Sequence, residues 1–355
     1  MYNLLCIIFL YFSKSIKIMG VKLGKLLYRN EITFDSLKGK AIAVDFSNYA
    51  YQFLSSIRQP DGTLLMDSKG NITSHLMGAW SRFSNLITKG IKLVAVLDGE
   101  MPHLKHLTSK ERHEKKQVAK EKFEAAKEQE DLELMNLYAK QTSFLTKEMV
   151  NESKELMEAM SIPVIQAPAE ADAQMAQLSK NNDVWAAATS DVDPLLHGCK
   201  RTITNLTLSQ RKKLRSGETK KINPELIDLN ENLKILNINQ KQLIIISILV
   251  GTDYNEGVHG IGPKKALKLV KENKDYDKMF QNLSIDFDWK EIYNLFENMK
   301  VKKDYKLKWE KINVKKIKEI LVQRHEFNEE RVDKVIQNLE LGTKEFEQKG
   351  LSNWS

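Results

Sequence analysis

Three short apolar stretches in this chain each lead into an aspartate. The stretches 41–44, 93–97 and 184–189 are rich in aliphatic residues and bounded by polar or turn residues, which is the pattern of buried strands. Helical patterns such as 74–89 and 147–160 separate them. Alternating β and α segments predict an α/β fold with a central, mainly parallel sheet that is covered on both faces.

The aspartates that follow these stretches are the first candidates for a functional site. Asp45 and Asp98 come directly after their strands, and Asp191 follows shortly after the third. In an open parallel sheet, ligands bind in the crevice at the carboxyl ends of the strands, so the three side chains are expected to converge there. A single aspartate at such a position is usually a helix cap or a turn former. Three of them together indicate a site.

Four further acids extend the pattern. Asp193 lies two residues beyond Asp191, and in an extended segment this spacing points both side chains the same way. Glu170 and Asp172 stand in Ala-Pro-Ala-Glu-Ala-Asp-Ala, which suits a helix start, where acids are also favoured by the helix dipole alone. Asp253 stands in Gly-Thr-Asp-Tyr after an apolar helix candidate, where an aspartate is an ordinary capping residue.

Seven carboxylates in this arrangement are better explained by metal binding than by seven separate caps. Clustered carboxylates repel one another unless cations compensate, and oxygen ligands without His or Cys suit Mg²⁺ or Mn²⁺ rather than zinc. Cys6 and Cys199 are too few for a disulfide scaffold and lack the clustering of a zinc site. The acids therefore predict a two-metal phosphodiesterase site.

Charge and composition favour a nucleic-acid partner. The net charge is +8 and the sequence pI is about 9.1, and Lys and Arg that neutralise phosphates release condensed counterions. Residues 102–141 are rich in Lys, Glu, Gln and Ala, which favours a helical segment that projects from the core. Beyond residue 204 the pattern is mainly helical, with candidates at 239–250 and 263–273.

The motifs together resemble those of the flap endonuclease family of the archaeal and eukaryotic type, from Met19 to about residue 345. They stand here, in family order, as Ile-Ala-Val-Asp45, Asp98-Gly-Glu-Met-Pro, the Glu170 and Asp172 segment, Asp191-Val-Asp193 and Gly-Thr-Asp253-Tyr. The resemblance implies a PIN-like nuclease domain over 19–345. In that domain the seven acids bind two Mg²⁺ ions, for which Mn²⁺ can substitute.

The resemblance also assigns roles around the scissile bond. Residues 102–141 resemble the family's helical arch, and Lys105 and Arg112 fall where basic catalytic residues lie. Tyr51 matches an aromatic that stacks on a base, Arg58 matches a position near the cleaved strand, and Glu170 is placed beside the DNA as well as the metal. The amino terminus packs close to the cleaved strand in the family, and in this chain that position is Gly20.

A glycine-rich turn entering a helix marks the expected duplex-binding hairpin, about 239–275. Exposed backbone N–H groups at such a turn can meet phosphate, and Lys264 and Lys265 reinforce the positive charge. The turn, which includes Gly260 and Gly262, matches the family's helical hairpin, in which a monovalent cation bridges to DNA.

The two ends of the chain carry separate expectations. Residues 1–18 are interpreted as a misassigned extension, because the apolar run 1–12 is too short to span a bilayer and family resemblance begins at Met19. The tail 346–355 resembles a sliding-clamp peptide, with Gln348, Leu351 and Trp354 as its contact residues. Its final aromatic is replaced by Ser355.

Three positions depart from the family pattern without removing an acid. Asp172 replaces a glutamate and shortens the reach to a metal by one methylene, Met101 interrupts the usual Pro-Pro, and Ser190 replaces a commonly acidic residue.

The expected function is that of a 5′ flap endonuclease and 5′–3′ exonuclease in Okazaki-fragment maturation and repair. The expected partners are branched DNA with a 5′ flap and a DNA sliding clamp. The protein is expected to be a monomer with no membrane contact, cytoplasmic in an archaeon and nuclear in a eukaryote. The alternatives are a noncatalytic DNA-junction-binding protein, which would have lost several acids, and a PIN-type ribonuclease, which leaves the arch and hairpin unexplained.

Overall fold

The computed structural model describes most of the chain in atomic detail. The described residues are 22–105, 118, 144–207, 211–213 and 219–351. Most of the expected arch, 102–141, lies outside them, as do the extension 1–18 and the last four residues of the tail. The proposed domain limits therefore stay predictions.

A seven-stranded sheet forms the centre of the described structure. Its strands are β1 (Asn30–Glu31), β2 (Ala41–Asp45), β3 (Lys92–Leu97), β4 (Val164–Gln166), β5 (Ala186–Ala188), β6 (Arg201–Thr204) and β9 (Glu225–Asp228), with β7 (Arg211–Lys213) and β8 (Thr219–Lys221) forming a separate antiparallel pair. The strand order is β1-β9-β6-β5-β2-β3-β4. All pairs from β6 to β4 are parallel, and only β9 runs antiparallel to its neighbours. The predicted α/β fold with a mainly parallel sheet is confirmed.

Helices fill the connections between the strands and make up the rest of the chain. They are α1 (Phe46–Ser56), α2 (Ser74–Gly78, continuing through a π-helical turn Ala79–Phe83 into Ser84–Thr88), α3 (Lys147–Ala159), α4 (Ala171–Lys180), α5 (Asp193–Leu196), α6 (Leu229–Leu236), α7 (Gln240–Val250), α8 (Pro263–Glu272), α9 (Tyr276–Asn282), α10 (Trp289–Asn298), α11 (Val314–Lys318, continuing into a π-helical turn Glu319–Arg324) and α12 (Glu329–Leu351). Short 3₁₀ turns lie at Lys22–Lys25 and Asp35–Leu37.

The expected strands and helices agree with these bounds within one residue at each end. The third expected strand is the exception, because β5 is only three residues long. Residues 181–185 still belong to the turn that ends α4, where the backbone N–H groups of Asp183 and Val184 donate to Leu178 O. Strand length is therefore set here by how the preceding helix ends.

The alternation of side chains along the parallel strands builds an apolar layer on each face of the sheet. Ile42 and Val44 pack into one cluster with residues of α1, α2, α3 and α12, while Ala43 packs on the other face with α4. Gly78 lies where α2 crosses α1, and a Cβ there would lie 2.2 Å from Phe53 Cγ. The crossing therefore requires glycine.

A second apolar cluster surrounds α7 and contains side chains from α6, α8, α9 and α10. The start of α7 is fixed by a capping box, in which Asn239 and Gln242 satisfy each other's backbone N–H groups. Among the described helices, none taken singly has the length and apolarity of a bilayer span, although α6 and α7, bent by 80°, meet that test as a pair.

Candidate active site

The carboxyl edge of the sheet brings together the first three predicted acids. Asp45 is the last residue of β2, Asp98 follows β3, and Asp191 follows β5 after a short bend. Since β5, β2 and β3 are neighbours in the sheet, the three strand ends lie side by side. The convergence that the sequence predicted is confirmed for these residues.

The start of α4 adds two further acids to the same edge. Glu170 is the N-cap residue of α4 and Asp172 lies in its first turn. The backbone N–H of Ala171 donates to Asp98 Oδ1 at 2.9 Å, which ties the helix start to the end of β3. Close approach is also required at Gly99, where a Cβ would lie 2.1 Å from Ala167 O. The N-terminus of α4 therefore points into the acidic edge, which allows both Glu170 and Asp172 to face the same site.

The segment from Asp191 to Asp193 differs from its prediction. It is a bend that leads into α5, whose first residue is Asp193, rather than an extended segment. Pro194 follows Asp193 at a position that favours a helix start, which explains the difference. The two side chains still interact, because the charge of Asp193 contributes to raising the pKa of Asp191.

Asn48 is a polar residue of the site that sequence reasoning missed. Its side-chain amide donates to Asp191 Oδ2 at 3.1 Å and to Ser190 Oγ at 2.7 Å, so it links α1 to the segment after β5. Its backbone N–H donates to Asp45 Oδ1 at 3.0 Å. The signal was present as an asparagine three residues after a strand-end aspartate, one helical turn into α1.

Burial and mutual repulsion make these acids hard to ionise together. Asp45, Asp191 and Asp193 are each no more than 9% exposed. Burial and the nearby charge of Asp98 raise the pKa of Asp45 to about 7, and burial with the charge of Asp193 raises the pKa of Asp191 to about 8. Burial and the charge of Asp45 also hold the pKa of Asp172 well above its ordinary range.

Lys105 supplies positive charge at this edge. Its ammonium forms an ion pair with Glu170 and lies 3.1 Å from Asp253 Oδ2. Burial alone lowers the pKa of Lys105, but the charges of Glu170 and Asp253 outweigh burial and raise it. Tyr254 donates its hydroxyl to the second carboxylate oxygen of Glu170. Glu170 is therefore held from both sides, and the role of Tyr254 was not predicted.

The acids fit a divalent cation by their chemistry, but they do not form a finished ligand shell. Among the described residues, no three acidic, histidine or cysteine side chains are spaced to hold one ion. Like-charged carboxylates repel, and Lys105 draws Glu170 and Asp253 toward itself. One buried oxygen, Asp172 Oδ1, has no hydrogen-bond partner. An orphaned carboxylate oxygen beside acids with raised pKa values is what an oxygen-ligated cation would satisfy.

Two of the predicted DNA-contact residues make contacts within the protein. Tyr51 is half-buried. Its hydroxyl is hydrogen-bonded to a backbone group of Leu145, and the charge of Asp98 lies nearby. Arg58 donates to Gly62 O at 2.8 Å and so holds its own loop. Base stacking by Tyr51 and contact of Arg58 with the cleaved strand stay predictions.

The glycine-rich turn precedes α8, as expected. Gly260 has a positive φ of 74°, Gly262 caps α8 without a side-chain hydrogen bond, and Lys264 and Lys265 are exposed. The first backbone N–H groups of α8 are thus left without a side-chain cap. This geometry suits an anion-binding helix start.

Several predicted residues lie where the structure describes no side chain. Gly20, Arg112 and Trp354 are outside the described residues, and Gln348 and Leu351 lie in α12 without described side chains.

A mainly parallel sheet with seven acids gathered about its carboxyl edge defines a PIN-like nuclease fold. Two family models match the chain, the XPG N-terminal domain over residues 19–119 and the XPG I-region over residues 161–253. These segments contain all seven acids. The chain belongs to the flap endonuclease family.

The assignment to this family rests on relatives that are similar along their whole length. Flap endonuclease 1 of Hyperthermus butylicus is 46% identical over 347 residues, covering 95% of this chain and 99% of the relative. Flap endonuclease 1 of Thermococcus onnurineus is 43% identical over 338 residues, with the same two coverages.

Solved structures agree with the sequence relatives. The flap endonuclease-1 structure from Methanococcus jannaschii matches with a TM-score of 0.72 at 40% identity, over 90% of this chain and 98% of that one. The catalytic core of Rad2 in complex with a DNA substrate matches with a TM-score of 0.65 at 24% identity, over 88% and 96%, which is a likeness of fold.

Proposed function

We propose that this protein is a Mg²⁺-dependent nuclease that hydrolyses one phosphodiester near the base of a 5′ DNA flap and also acts as a 5′–3′ exonuclease. The observation that carries the proposal is the gathering of seven acids about one sheet edge in a chain whose full-length relatives are named flap endonuclease 1. Such an activity serves the removal of displaced 5′ ends during Okazaki-fragment maturation and repair.

The acids would hold two Mg²⁺ ions, with Mn²⁺ as a substitute. Carboxylate oxygens without His or Cys are the donor set that these hard cations prefer. When bound, the ions supply Lewis-acid activation of the attacking water and stabilise charge on the leaving oxygen. The proposed ligands are Asp45, Asp98, Glu170, Asp172, Asp191, Asp193 and Asp253.

Lys105 has two roles in this proposal. Its ammonium balances Glu170 and Asp253 in the arrangement described above. In catalysis the Lys105 ammonium would stabilise the charge that develops on the scissile phosphate in the transition state. Arg112 is proposed to assist from the arch.

Branched DNA with a 5′ flap is the proposed substrate. The uncapped start of α8, with Lys264 and Lys265, would bind the backbone of one duplex together with a monovalent cation at Gly260 and Gly262. Tyr51 would stack on a base next to the scissile bond. Specificity would follow from DNA shape rather than base sequence, because backbone contacts carry no sequence information.

The tail, the oligomeric state and the compartment belong to the same proposal. The tail 346–355 would dock on a DNA sliding clamp, with Trp354 as its anchor. The protein would act as a monomer. It would work in the cytoplasm of an archaeon or in the nucleus of a eukaryote.

Cleavage of a labelled double-flap DNA, compared with a single-stranded RNA of the same sequence, tests the proposal. With Mg²⁺ present, the DNA should be cut close to the flap base and the RNA should stay intact. Tight binding of the DNA without any product would favour a noncatalytic junction-binding protein, and equal cutting of the RNA would favour a PIN-type ribonuclease. Either result would overturn the proposal.

A further inference from the structure

The segment that joins α10 to α11 carries an unusual concentration of positive charge. Residues 300–311, called here the lysine strap, contain six lysines and two acids. Their net charge of +4 is half of the +8 that the whole chain carries. The strap contains no helix or strand.

Hydrogen bonds to the core fix the strap in place. Trp309 Nε1 donates to Leu93 O at 2.8 Å, and the side chain of Gln174 bonds both backbone groups of Lys302 at 2.7 and 2.9 Å. Just beyond the strap, the backbone N–H of Asn313 donates to Ala159 O at 2.7 Å. The strap is therefore a fixed part of the surface.

The anchors at Trp309 and Asn313 place the strap from Lys306 onward away from the acids, whereas Lys302 is bonded to Gln174 near the start of α4, on the acidic side. Leu93 is the second residue of β3, and Ala159 ends the helix that precedes β4, so both mark the amino ends of strands. The acids gather about the carboxyl ends. A strand of six residues such as β3 is roughly 20 Å long, so the two edges are separate surfaces.

The lysine side chains of the strap are available for a partner. All six are exposed, namely Lys300, Lys302, Lys303, Lys306, Lys308 and Lys311. Within the part of the chain that the structure describes, none has a carboxylate at ion-pair distance. Exposed lysines that form no ion pair within the protein can attract negatively charged partners from solution.

A groove beside the strap gives this surface a shape. It has a volume of about 560 Å³. The strap lines it with Lys306, Lys308, Lys311 and the acid Glu310, and α3 lines it with Glu155 and Glu158. Glu155 is already paired, since Lys316 lies 3.2 Å and Arg324 3.1 Å from its carboxylate. Glu158 lies 4.0 Å from Lys154, and the strap wall has three lysines against Glu310, so this wall carries a net positive charge toward a polyanion.

We propose that the lysine strap, through Lys306, Lys308 and Lys311, is a second binding surface for the phosphate backbone of duplex DNA, on the opposite edge of the sheet from the acids. Lysine is depleted at protein–protein interfaces, whereas flexible ammonium groups are typical of non-specific phosphate contacts. The surface would hold a duplex that the acidic edge does not reach. Such binding is additional to the nuclease activity and does not depend on it.

Binding of an unbranched duplex in EDTA tests the proposal without reading cleavage. The variant Lys306→Ser with Lys308→Ser is compared with the matched control Lys234→Ser with Lys334→Ser, which removes the same charge from exposed positions on α6 and α12. The strap variant should lower the slope of log affinity against log salt by roughly 0.9 for each phosphate that is no longer neutralised, while the control keeps the wild-type slope. Equal slopes for the strap variant and wild type, or equally lowered slopes in both variants, would overturn the proposal.

Lysine acetylation of the wild-type protein supplies a measurement that needs no variant. Duplex DNA should protect Lys306, Lys308 and Lys311 from the reagent and leave Lys234 and Lys334 reactive. Protection by polyglutamate but not by the duplex would overturn the proposal in favour of an acidic protein partner.

Discussion

Two groups of acidic side chains in this protein have pKa values that are shifted in opposite directions. The first, the His325 cluster, consists of Asp67, Glu152 and His325, whose ring nitrogens lie 3.1 Å from an oxygen of each carboxylate. Burial raises the pKa of Asp67, but hydrogen bonds from Asn71, His325 and Lys69 outweigh it and bring that pKa to about 2. The imidazole of His75, 3.5 Å from Glu152, together with His325 likewise holds the pKa of Glu152 below its ordinary value.

The acids of the active site show the reverse. There burial and neighbouring carboxylates raise the pKa of Asp45 to about 7 and of Asp191 to about 8. The protein thus satisfies acids where they only join elements, and leaves them crowded at the proposed metal site. Substitutions in the two groups should therefore differ in their effects, from a large loss of catalysis to a small change in stability.

Replacing Asp191 with Ala should abolish cleavage of flap DNA. The loss should be at least about a thousandfold in single-turnover rate, or roughly 4 kcal/mol, because an ion loses a ligand that helps activate water. Binding of branched DNA should persist, since basic groups supply most phosphate contacts. The metal-free variant should unfold at no lower temperature than the wild type, because a repelling charge has gone. Substantial cutting by this variant in Mg²⁺ would contradict the assignment.

Replacing Lys105 with Ala should reduce single-turnover cleavage on the order of a hundredfold, because a cation that stabilises transition-state charge is removed. Affinity for the flap substrate, measured in Ca²⁺ by fluorescence anisotropy, should change much less. Equal losses in affinity and rate would show instead that Lys105 is a simple phosphate anchor.

Replacing His325 with Gln is the corresponding change in the His325 cluster. The single amide group of glutamine cannot donate to both carboxylates, so Asp67 or Glu152 loses a donor and the free energy of unfolding should fall by about 2 kcal/mol. Chemical denaturation would measure this loss, while the Mg²⁺ concentration that half-saturates the protein should stay as in wild type. A shift in Mg²⁺ affinity would mean that the two clusters are coupled.

The pH dependence of the free energy of unfolding should distinguish the active-site acids from the His325 cluster, because their pKa values are shifted in opposite directions. A carboxyl whose folded pKa is raised keeps a proton that the unfolded chain loses near its ordinary pKa, so the metal-free protein should become less stable as pH rises from about 5 to 8 and should level off above that range. The change should reach up to about 1.4 kcal/mol per pH unit for each proton, and Asp191→Asn should make it shallower, because Asp45 and Asp172 keep their raised pKa values. Asp67 has a lowered pKa, so its contribution is constant over this range and is lost only in acid. A wild-type profile as flat as that of Asp191→Asn would contradict the raised pKa values.

Much of the sheet and its acidic edge could be predicted because the determinants are local. The strands β2 and β3 are apolar runs with sharp polar ends, and each aspartate follows directly. The antiparallel strand β9, which lies between β1 and β6, and the bend from Asp191 to Asp193 were missed. The position of β9 depends on pairing with strands distant in sequence, and the bend depends on a single proline.

The ion pairs of Lys105 were missed for a related reason. Glu170 and Asp253 lie far from Lys105 along the chain, and the sequence alone does not reveal that a cationic side chain stands between two expected metal ligands. The His325 cluster joins residues 67, 152 and 325, which no sequence pattern connects. Local patterns thus identified the acids, but the charges that balance them depended on the fold.

Calorimetric titration of the metal-free protein with Mg²⁺ at pH 7, repeated in buffers of different ionisation enthalpy, tests the central claim most directly. If the active-site acids are crowded and partly protonated, binding of two ions should release about one proton or more, because ligating carboxylates must lose their protons. The release should vanish near pH 9.5, and His325→Gln should leave it unchanged. Binding without proton release at pH 7, or release that Asp191→Asn does not reduce, would contradict the account.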